Sequence, residues 1–376
     1  MIIGIYGAYG TKNIGDDAIL ISIITSIKKV IGDTEFIVFS ADIKESNKIY
    51  NAGHIKYVKA SLKRPVTLIK TILKTDILLY GGGGLIYDHH GLKGLLARLS
   101  YIILAKILRK PVMIYAIGVG PLITRFGGFL VAIVLNQVDL ITTRDKESMK
   151  LLKDIGVNKP PMCVTADPAL CLPLEDSNVA MEIINKENIS IDKMVIGLSI
   201  RSLKDKTIGI KVIAQICDEL AEAYNAELLF IPMSKHKQAQ FANDLYVNEE
   251  ILKLLKHKES VKIIRGDYNP SEIKSIMGYT DLFIGMRLHS LIFAATMNVP
   301  IIGIVYDQKV ISFLRLIGQE KQAIDLEHIN LDCMVAKAKQ VISSKEEIKK
   351  DLKTKVTSAQ KSSLNTSKLF IKHFSK

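Results

Sequence analysis

The stretch Asp281-Leu-Phe-Ile-Gly-Met-Arg-Leu-His-Ser290 decides the fold class, because it joins a buried strand to an apolar helix through a short polar turn. Residues 281–284 are predicted to form the strand, residues 285–290 the turn, and residues 291–297 the helix. Ligands of open α/β sheets bind at the carboxyl ends of the strands, where such a turn lies. We therefore predict an α/β fold with its chemistry at a strand end.

Two neighbouring strand ends are predicted to carry charged residues. The turn contributes Arg287 and His289, and a second apolar strand, residues 301–305, is soon followed by Lys309. Histidine is the usual general acid or base in enzymes. A lone histidine beside an apolar helix is more often structural, so the pattern leaves both roles open for His289. Its position beside Arg287 favours the catalytic role.

Both halves of the chain alternate short apolar strands with helical patterns, which indicates βαβ units and parallel sheets. The 376 residues are enough for two domains, and we predict two doubly wound, Rossmann-like domains. The predicted strands are 2–6, 36–39, 77–80, 112–117, 140–142, 195–200, 228–231, 261–264, 282–284 and 301–305. The predicted divisions are a first domain at 1–172, a linker at 173–193, a second domain at 194–343 and a basic helix or tail at 344–376.

The composition favours an anionic ligand. The chain has 51 Lys and Arg against 38 Asp and Glu, a formal net charge of +13. Such a surplus attracts phosphates, acidic glycans, nucleic acid or an anionic membrane face. Only 6% of the residues are aromatic, and no basic stripe is interleaved with aromatic residues, which argues against nucleic acid. The four cysteines lack Cys-x-x-Cys spacing, so neither a disulfide framework nor a zinc site is predicted.

A glycine-rich loop follows the first strand and ends in Asn13-Ile-Gly-Asp-Asp-Ala18, before a helix predicted at 19–30. Its spacing matches neither a Walker A loop nor the dinucleotide fingerprint. Backbone N–H groups at Asn13 and Gly15 are candidates for holding a phosphate or a sugar. Asp16 is the candidate for binding or activating a hydroxyl. Capping of the helix is the alternative role for the acids.

A second glycine run, Gly81 to Gly84, follows the strand at 77–80 and is predicted to be a loop. Gly82 and Gly83 are candidates for close approach of the backbone to a ligand. Asp88-His-His90 comes shortly afterwards, but adjacent histidines point apart and further ligands are missing. No metal site is predicted.

Two more strand ends carry arginines, Arg144 after residues 140–142 and Arg201 after residues 195–200. Each is a candidate surface salt-bridge partner. If the two strand ends face each other across one cleft, Arg144 and Arg201 together with Arg287 and Lys309 form a pocket for a small, multiply charged anion. Arginine suits bidentate contacts with carboxylate or phosphate.

The chain resembles the polysaccharide pyruvyl transferase family, in the branch that pyruvylates secondary cell-wall polymers, over about residues 1–317. The motifs are individually weak, but their joint order is specific. They are Asn13-Ile-Gly-Asp-Asp-Ala18, Gly81-Gly-Gly-Gly84 with Asp88, Ala116-Ile-Gly-Val-Gly-Pro121, Arg144-Asp145 with Ser148, Ala166-Asp-Pro168, Gly285-Met-Arg-Leu-His289 and Tyr306-Asp-Gln-Lys309.

The resemblance implies a glycosyltransferase-B-like architecture with an active site in an interdomain cleft, the acceptor on the first domain and the donor on the second. It implies phosphoenolpyruvate as donor, no further cofactor, and a β-linked amino sugar such as N-acetylmannosamine, free or lipid-linked, as acceptor. By motif, Arg144, Arg287 and Lys309 correspond to the donor-binding cations. Leu288 lies in the same motif, and His289 corresponds to the proposed catalytic histidine.

The implied reaction forms a ketal, with two hydroxyls of one sugar adding to C2 of phosphoenolpyruvate while phosphate leaves. His289 is expected to protonate either the enol carbon or the departing phosphate. Two alternatives remain open. A nucleotide-sugar glycosyltransferase of the same architecture would also use a basic cleft, and a non-catalytic protein could hold an anionic glycan or membrane through the same cations.

The two ends of the chain bear on location. Met1-Ile-Ile-Gly-Ile-Tyr6 reads as a strand and lacks the features of a signal peptide, so a cytoplasmic location is expected. No transmembrane helix is predicted. The tail from residue 345 has nine Lys and three acids. It is expected either to brace the first domain as a helix or to contact anionic lipid at the inner face of the membrane.

Overall fold

The computed structural model describes residues 1–201, 209–235 and 243–374, and the chain divides into two compact units. Unit 1 comprises Met1–Thr11, Asp16–Leu172 and Gln360–Lys376, and unit 2 comprises Lys12–Gly15 and Pro173–Ala359. Among the described residues, no helix is both long and apolar enough to cross a membrane.

Unit 1 is a parallel sheet of seven strands in the order β3-β2-β1-β4-β5-β6-β7. Its strands are β1 (Ile2–Tyr6), β2 (Glu35–Ser40), β3 (Ile55–Lys59), β4 (Ile77–Ile86), β5 (Val112–Val119), β6 (Leu140–Thr143) and β7 (Met162–Val164). The connecting helices are α1 (Ile14–Ile31), α2 (Ile43–Ile49), α3 (Pro65–Lys74), α4 (Leu92–Ile107), α5 (Arg125–Leu135) and α6 (Lys146–Asp154). Central strands are buried on both faces, as in other doubly wound sheets.

Unit 2 repeats the plan with six parallel strands in the order β10-β9-β8-β11-β12-β13. Its strands are β8 (Val195–Ser199), β9 (Glu227–Phe230), β10 (Val261–Ile263), β11 (Leu282–Gly285), β12 (Ile301–Val305) and β13 (Ala323–Asp325). Its helices are α7 (Ser177–Lys186), α8 (Ile210–Tyr224), α9 (Asp244–Leu254), α10 (Pro270–Met277), α11 (Leu288–Thr296), α12 (Gln308–Leu316), α13 (Leu331–Ser343) and the first part of α14 (Lys345–Phe374). The prediction of two Rossmann-like domains is confirmed.

Three strands were not predicted, and all three lie at sheet edges: β3, β7 and β13. An edge strand needs no continuous apolar run, because one side of it is not covered by another strand. In β3 only Tyr57 is buried, and none of the residues of β7 is. The pattern of buried residues that revealed the central strands is therefore missing at the edges.

The predicted divisions of the chain differ from the observed units in three places. The predicted linker, 173–193, contains helix α7 and belongs to unit 2. Lys12–Gly15 belongs to unit 2 although unit 1 surrounds it in sequence. The basic tail is the single helix α14, which begins in unit 2 and belongs to unit 1 from Gln360 onward.

The glycine run 81–84 is strand, so its prediction as a loop is wrong. Strand β4 continues through it and pairs with β5 at Gly81, Gly83 and Gly84, with a register shift before Ile86. Gly82 and Gly83 have φ values of 79° and 84°, which residues other than glycine rarely adopt. The strand therefore continues through the run to Ile86, and Gly82 and Gly83 supply the backbone angles that it needs there.

Candidate functional site

In each unit the strand order reverses once, and ligands of open α/β sheets bind outside the carboxyl ends of the strands at this point. In unit 1 the reversal lies between β1 and β4, and in unit 2 it lies between β8 and β11. Of the predicted site residues, Gly82 and Gly83 lie within β4, Arg144 and Lys309 follow other strands, and the rest lie directly beyond one of these four strands or in the segment that follows it. The prediction that both edges share one cleft stays a prediction.

Arg287 is the N-cap of helix α11, directly beyond β11. The predicted turn at 285–290 is too long, because the helix already begins at Leu288. The guanidinium of Arg287 makes a two-point contact with the buried carboxylate of Asp244: Nε lies 3.0 Å from Oδ2, and Nη2 lies 2.5 Å from Oδ1. Asp244 also accepts hydrogen bonds from the backbone of Met233 and Ser234, so its position is fixed by the fold.

Helix α11 places two further predicted residues in its first turn. The side chain of Leu288 is buried, and His289 is half-buried one residue further on. The first backbone N–H groups of a helix have no acceptor within the helix and favour a negative charge. The N-terminus of α11 therefore adds to the attraction that Arg287 exerts on an anion.

Residues 12–15 pack against unit 2 and open helix α1 five residues earlier than predicted. The side chain of Asn13 caps the helix, its Oδ1 accepting a hydrogen bond from Gly15 N at 3.1 Å. Ile14 N donates to Met233 O at 3.0 Å, which ties the segment to the residues beyond β9. The capping role weighed for the acids thus belongs to Asn13.

Gly15 and His289, which are far apart in sequence, come into contact in unit 2. A Cβ atom on Gly15 would collide with the imidazole of His289. Only glycine lets the ring lie this close to the start of α1. Gly15 therefore helps to position His289, the candidate proton donor. The spacing of the glycines in the sequence does not reveal this role.

Tyr306 lies directly beyond β12, between the side chains of Arg201 and Lys309. Nη1 of Arg201 donates to the phenol oxygen of Tyr306 at 3.1 Å, and the guanidinium carbon stands 5.0 Å from the ring centre. Nζ of Lys309 lies 5.4 Å from the same ring centre and 3.3 Å from the carboxylate of Asp307. Burial raises the pKa of Tyr306, but Lys309, Arg201 and Arg287 outweigh it and the pKa is lowered.

In unit 1 the part of the edge beyond β1, at the strand reversal, is acidic, and we call it the acidic edge. Asp16 and Asp17 occupy the first turn of α1, and the carboxylate of Asp16 stands over Gly83, 3.3 Å from where a Cβ would be. A side chain on Gly82 would collide with Ile19 of the same helix. Burial and the neighbouring Asp16 raise the pKa of Asp17 to about 7.

Arg144 is the cation of the unit 1 edge and lies beyond β6. Its Nη1 is 3.2 Å from Oδ2 of Asp167, and its Nε is 3.5 Å from the carboxylate of Asp145. A Cβ on Gly118 would lie 2.7 Å from the guanidinium, so this glycine leaves room for it. The carboxylates of Asp167 and Asp145 balance the charge of Arg144.

Asp88 has a structural role. Its carboxylate accepts hydrogen bonds from Ile123 N at 2.5 Å and from the backbone and hydroxyl of Thr124 at 2.9 and 2.6 Å, and so holds the start of α5. Burial alone would raise the pKa of Asp88, but these hydrogen bonds outweigh it and lower the pKa. Within residues 1–201, 209–235 and 243–374, no group of three or more His, Cys, Asp or Glu is arranged to hold a metal ion.

Two residues of the unit 2 group were not predicted. Tyr306 directly follows a strand already expected to end at the site, so its position carried a usable signal. Asp244 precedes Arg287 by 43 residues and begins a helix of ordinary composition. No local pattern marks it, because only the folded chain brings it to Arg287.

Comparison with known proteins bears on the family. The family described as polysaccharide pyruvyl transferase matches residues 13–308. The amylovoran biosynthesis protein AmsJ of Erwinia amylovora is 19% identical over 286 residues, which cover 74% of this chain and 68% of AmsJ. These matches confirm the family resemblance seen in the motifs.

Solved structures bear on the fold. A glycosyltransferase from Rickettsia africae ESF-5 superposes with a TM-score of 0.67 at 14% identity, over 100% of this chain and 98% of that one. MnaA of S. aureus, solved with UDP, superposes with a TM-score of 0.64 at 14% identity, over 99% and 95% of the two chains. At such low identity the likeness shows the fold alone, and it agrees with the predicted glycosyltransferase-B-like class.

Proposed function

The chain belongs to the polysaccharide pyruvyl transferase family, and we propose that it transfers the pyruvyl group of phosphoenolpyruvate to a sugar of a surface or cell-wall polysaccharide, forming a ketal. The acceptor we propose is an N-acetylmannosamine-type sugar, free or lipid-linked. The observation that carries the proposal is the set of cations at the carboxyl ends of β8, β11 and β12, with His289 in the first turn of the helix that follows β11.

The donor suits this group because it is small and carries both a carboxylate and a phosphate. Arg287 is held in a fixed orientation by Asp244 through Nε and Nη2, and we propose that the other edge of the planar guanidinium, with Nη1, contacts one of these anions. Arg201 and Lys309, gathered around Tyr306, are placed to bind the other. Arg144 was expected to share this role. Its ion pairs with Asp167 and Asp145 also make it a structural element of unit 1.

The proposed reaction balances without a further reactant. A proton adds to C3 of phosphoenolpyruvate, which converts the methylene to a methyl group and leaves positive charge at C2. One sugar hydroxyl forms a bond to C2 and loses its proton, the C2–O bond to phosphate breaks, and a second hydroxyl closes the ketal with loss of its proton. Of the two hydroxyl protons, one replaces the proton added at C3 and the other leaves with phosphate.

His289 is the proposed proton donor, because it is the imidazole placed beside Arg287 in the first turn of α11. It acts either on C3 or on the departing phosphate. The cations offset the charge that develops on the leaving phosphate, the kind of electrostatic contribution that is often the largest in catalysis. The N–H groups at Leu288 and its neighbours add to this effect.

The acidic edge of unit 1 suits a neutral, hydroxyl-rich acceptor. We propose that Asp16 binds or deprotonates an acceptor hydroxyl, with Gly82 and Gly83 allowing the sugar to approach the backbone of β4. Asn13 and Gly15 contribute by fixing the start of α1. Because the donor is multiply charged and does not cross a bilayer, we propose that the reaction takes place on the cytoplasmic side.

The experiment that tests this function measures phosphate release from phosphoenolpyruvate by the full chain, with and without an aryl β-N-acetylmannosaminide or a lipid-linked acceptor. Mass spectrometry of the sugar then identifies the product. We expect acceptor-dependent release and a pyruvyl adduct on the sugar. Release without an adduct, or no release with a panel of amino sugars and hexoses, would contradict the proposal.

The same preparation separates the alternatives. Thermal stabilisation by a uridine or guanosine nucleotide, with no response to phosphoenolpyruvate, would indicate nucleotide-sugar transfer. Binding of an anionic glycan that survives the double variant His289→Gln/Arg287→Lys, with no turnover by the wild type, would indicate a non-catalytic binding protein.

A further inference from the structure

Three neighbouring helices of unit 1 each present an apolar stripe to solvent. On α5, Phe126 and Phe129 are 55% and 58% exposed, and their ring centres lie 6.4 Å apart. On α4, Ile107 is 71% exposed, and Ile103 is exposed one turn before it. On α3, Val66 is 63% exposed. Large apolar residues at helical spacing normally face a core. Each of these helices has such residues on its buried side and also on its solvent-exposed side.

The three stripes belong to one surface. The buried sides of α3, α4 and α5 pack into the same apolar core, through Leu68, Leu95 and Val131 among others, so the helices lie on one face of the sheet. The end of α3 is joined to the segment just after α4 by a hydrogen bond from Nζ of Lys110 to the backbone oxygen of Leu73 at 2.9 Å. We call the outward side of these helices the α3–α5 face.

The three helices of the α3–α5 face carry charges of one sign, and one of their cations, Lys106, is paired with Asp139 from outside them. The three helices contain six Lys or Arg and no Asp or Glu. Lys70 and Lys74 are exposed beside the apolar stripe of α3, as are Lys93 on α4 and Arg125 at the start of α5. Exposed apolar patches ringed by polar residues mark interaction sites, and here the ring is cationic.

We propose that the α3–α5 face docks unit 1 onto an anionic lipid bilayer. The phenylalanine and isoleucine side chains enter the boundary between headgroups and acyl chains, while the lysines and arginines contact the lipid phosphates. A second copy of the chain is the less suitable occupant, because a symmetric contact would bring two cationic faces together. The inference does not depend on the proposed pyruvyl transfer.

Helix α14 does not offer this combination, although its Lys residues first suggested a membrane contact. Its large apolar residues Leu352, Val356 and Phe370 are buried. In the described part of the chain, the large exposed apolar residues all precede α14. Because binding at an interface grows with both buried apolar area and charge, the α3–α5 face is the stronger candidate.

The test is co-sedimentation of the full chain with vesicles of phosphatidylglycerol and phosphatidylcholine, and with vesicles of phosphatidylcholine alone. The double variant Phe126→Ser/Phe129→Ser removes two exposed rings. Its matched control is Leu254→Ser/Leu316→Ser, which removes two exposed apolar side chains from unit 2. Charge is tested by Lys63→Gln/Lys70→Gln/Lys74→Gln beside α3, against Lys350→Gln/Lys353→Gln/Lys355→Gln on α14.

We expect the wild type to bind the anionic vesicles and to lose binding as salt is raised. The phenylalanine double variant should bind about tenfold or more weakly, while the leucine double variant binds as the wild type does. The three substitutions beside α3 should weaken binding more than the three on α14. Circular dichroism establishes that each variant is folded.

Three results would overturn the inference: undiminished vesicle binding by Phe126→Ser/Phe129→Ser, a loss confined to the α14 variant, or absence of binding by the wild type. A lipid-free dimer of the wild type that the phenylalanine substitutions dissociate would assign the face to a second copy. Phosphate release with a soluble aryl acceptor should be unchanged in the phenylalanine variant. Failure of membrane docking is therefore distinguishable from failure of the proposed function.

Discussion

At the points where the strand order reverses, the carboxyl edges of the two sheets are built on the same plan but carry opposite charge. Beyond β8, β11 and β12 of unit 2 lie Arg201, Arg287 and Lys309. Beyond β1 of unit 1 lie Asp16 and Asp17, at the start of α1. Both edges contain a point where the strand order reverses, so the topology makes each of them a candidate ligand site.

The difference teaches that topology supplies the position of a site, whereas the side chains at the strand ends decide which ligand it takes. In the proposed function, the cationic edge binds the anionic donor and the acidic edge binds the hydroxyls of a neutral sugar. The predictions below test this difference between the two edges, in order of decreasing expected effect on kcat or KM.

The largest effect is expected for His289→Gln, because it removes the proton donor from the cationic edge and keeps a polar side chain of similar length. Turnover should fall about 100-fold or more. His328→Gln, an exposed histidine of the same unit, is the control and should retain wild-type turnover. The measurement is acceptor-dependent phosphate release under saturating substrates. Wild-type turnover in His289→Gln would remove the histidine from the chemistry.

Next comes Arg287→Lys, which keeps the charge but loses the planar guanidinium that can contact Asp244 with one edge and a donor anion with the other. The KM for phosphoenolpyruvate should rise about 10-fold or more, since a hydrogen bond to a charged group contributes about 1.5–3 kcal/mol. Arg265→Lys is a matched control, because Arg265 makes a two-point contact with Glu249 on the exposed surface of the same unit. Equal effects of the two substitutions on KM would contradict a donor site at Arg287.

A smaller effect is expected for Asp16→Asn in the acidic edge. Turnover and the KM for the acceptor should change by about 10-fold, while the KM for phosphoenolpyruvate stays at its wild-type value. Asp154→Asn, an exposed acid at the end of α6, serves as the control. Initial rates measured with each substrate varied in turn separate the two KM values. A change confined to the donor KM would reverse the assignment of the two edges.

Tyr306→Phe should change turnover only a few-fold but alter the pH profile. The three cations lower the pKa of Tyr306, so the phenol begins to ionise below its ordinary range, and the phenolate then offsets the cations that hold the donor. In the wild type, kcat/KM for phosphoenolpyruvate should therefore decline toward high pH, and the decline should begin later in the variant. Tyr246→Phe, an exposed tyrosine of α9, should leave the profile unchanged.

The least effect on turnover is expected for Asp17→Asn, which should instead change stability. The pKa of Asp17 is about 7 in the folded chain against an ordinary value of 3.8, so the folded state retains a proton that the unfolded state has lost between these values. Wild-type stability should thus decline as the pH rises from 4 to 7, by up to about 4 kcal/mol. The amide does not ionise, so the variant should lack this decline.

Thermal unfolding at pH 5 and at pH 8 checks this expectation. The melting temperature of Asp17→Asn should exceed that of the wild type at pH 8, and the difference should shrink at pH 5. Asp33→Asn, exposed in the same unit, should show no such dependence. An equal difference in melting temperature at pH 5 and pH 8 would mean that burial does not raise the pKa of Asp17.

Much of this arrangement was predictable from local patterns. The central strands were found within one or two residues of their observed ends, except for β4, because strands buried on both faces leave continuous apolar runs. Arg287, Leu288 and His289 were found because they follow such a run. The glycine run 81–84 was misread as a loop, since glycine is also the commonest residue of turns, and only the pairing with β5 shows that the strand continues.

The sequence by itself determined the fold class, the central strands, the basic charge and the family, because each depends on residues close together in the chain or on composition. Tertiary structure alone decided that Gly15 lies against His289, that Asp244 orients Arg287 and that Tyr306 gathers Arg201 and Lys309. It alone exposed the apolar stripes of α3, α4 and α5, since a helix pattern shows a repeat but not which side is covered. Contacts between distant segments form only when the backbone hydrogen bonds and the packing of both sheets are complete, and no local pattern encodes them.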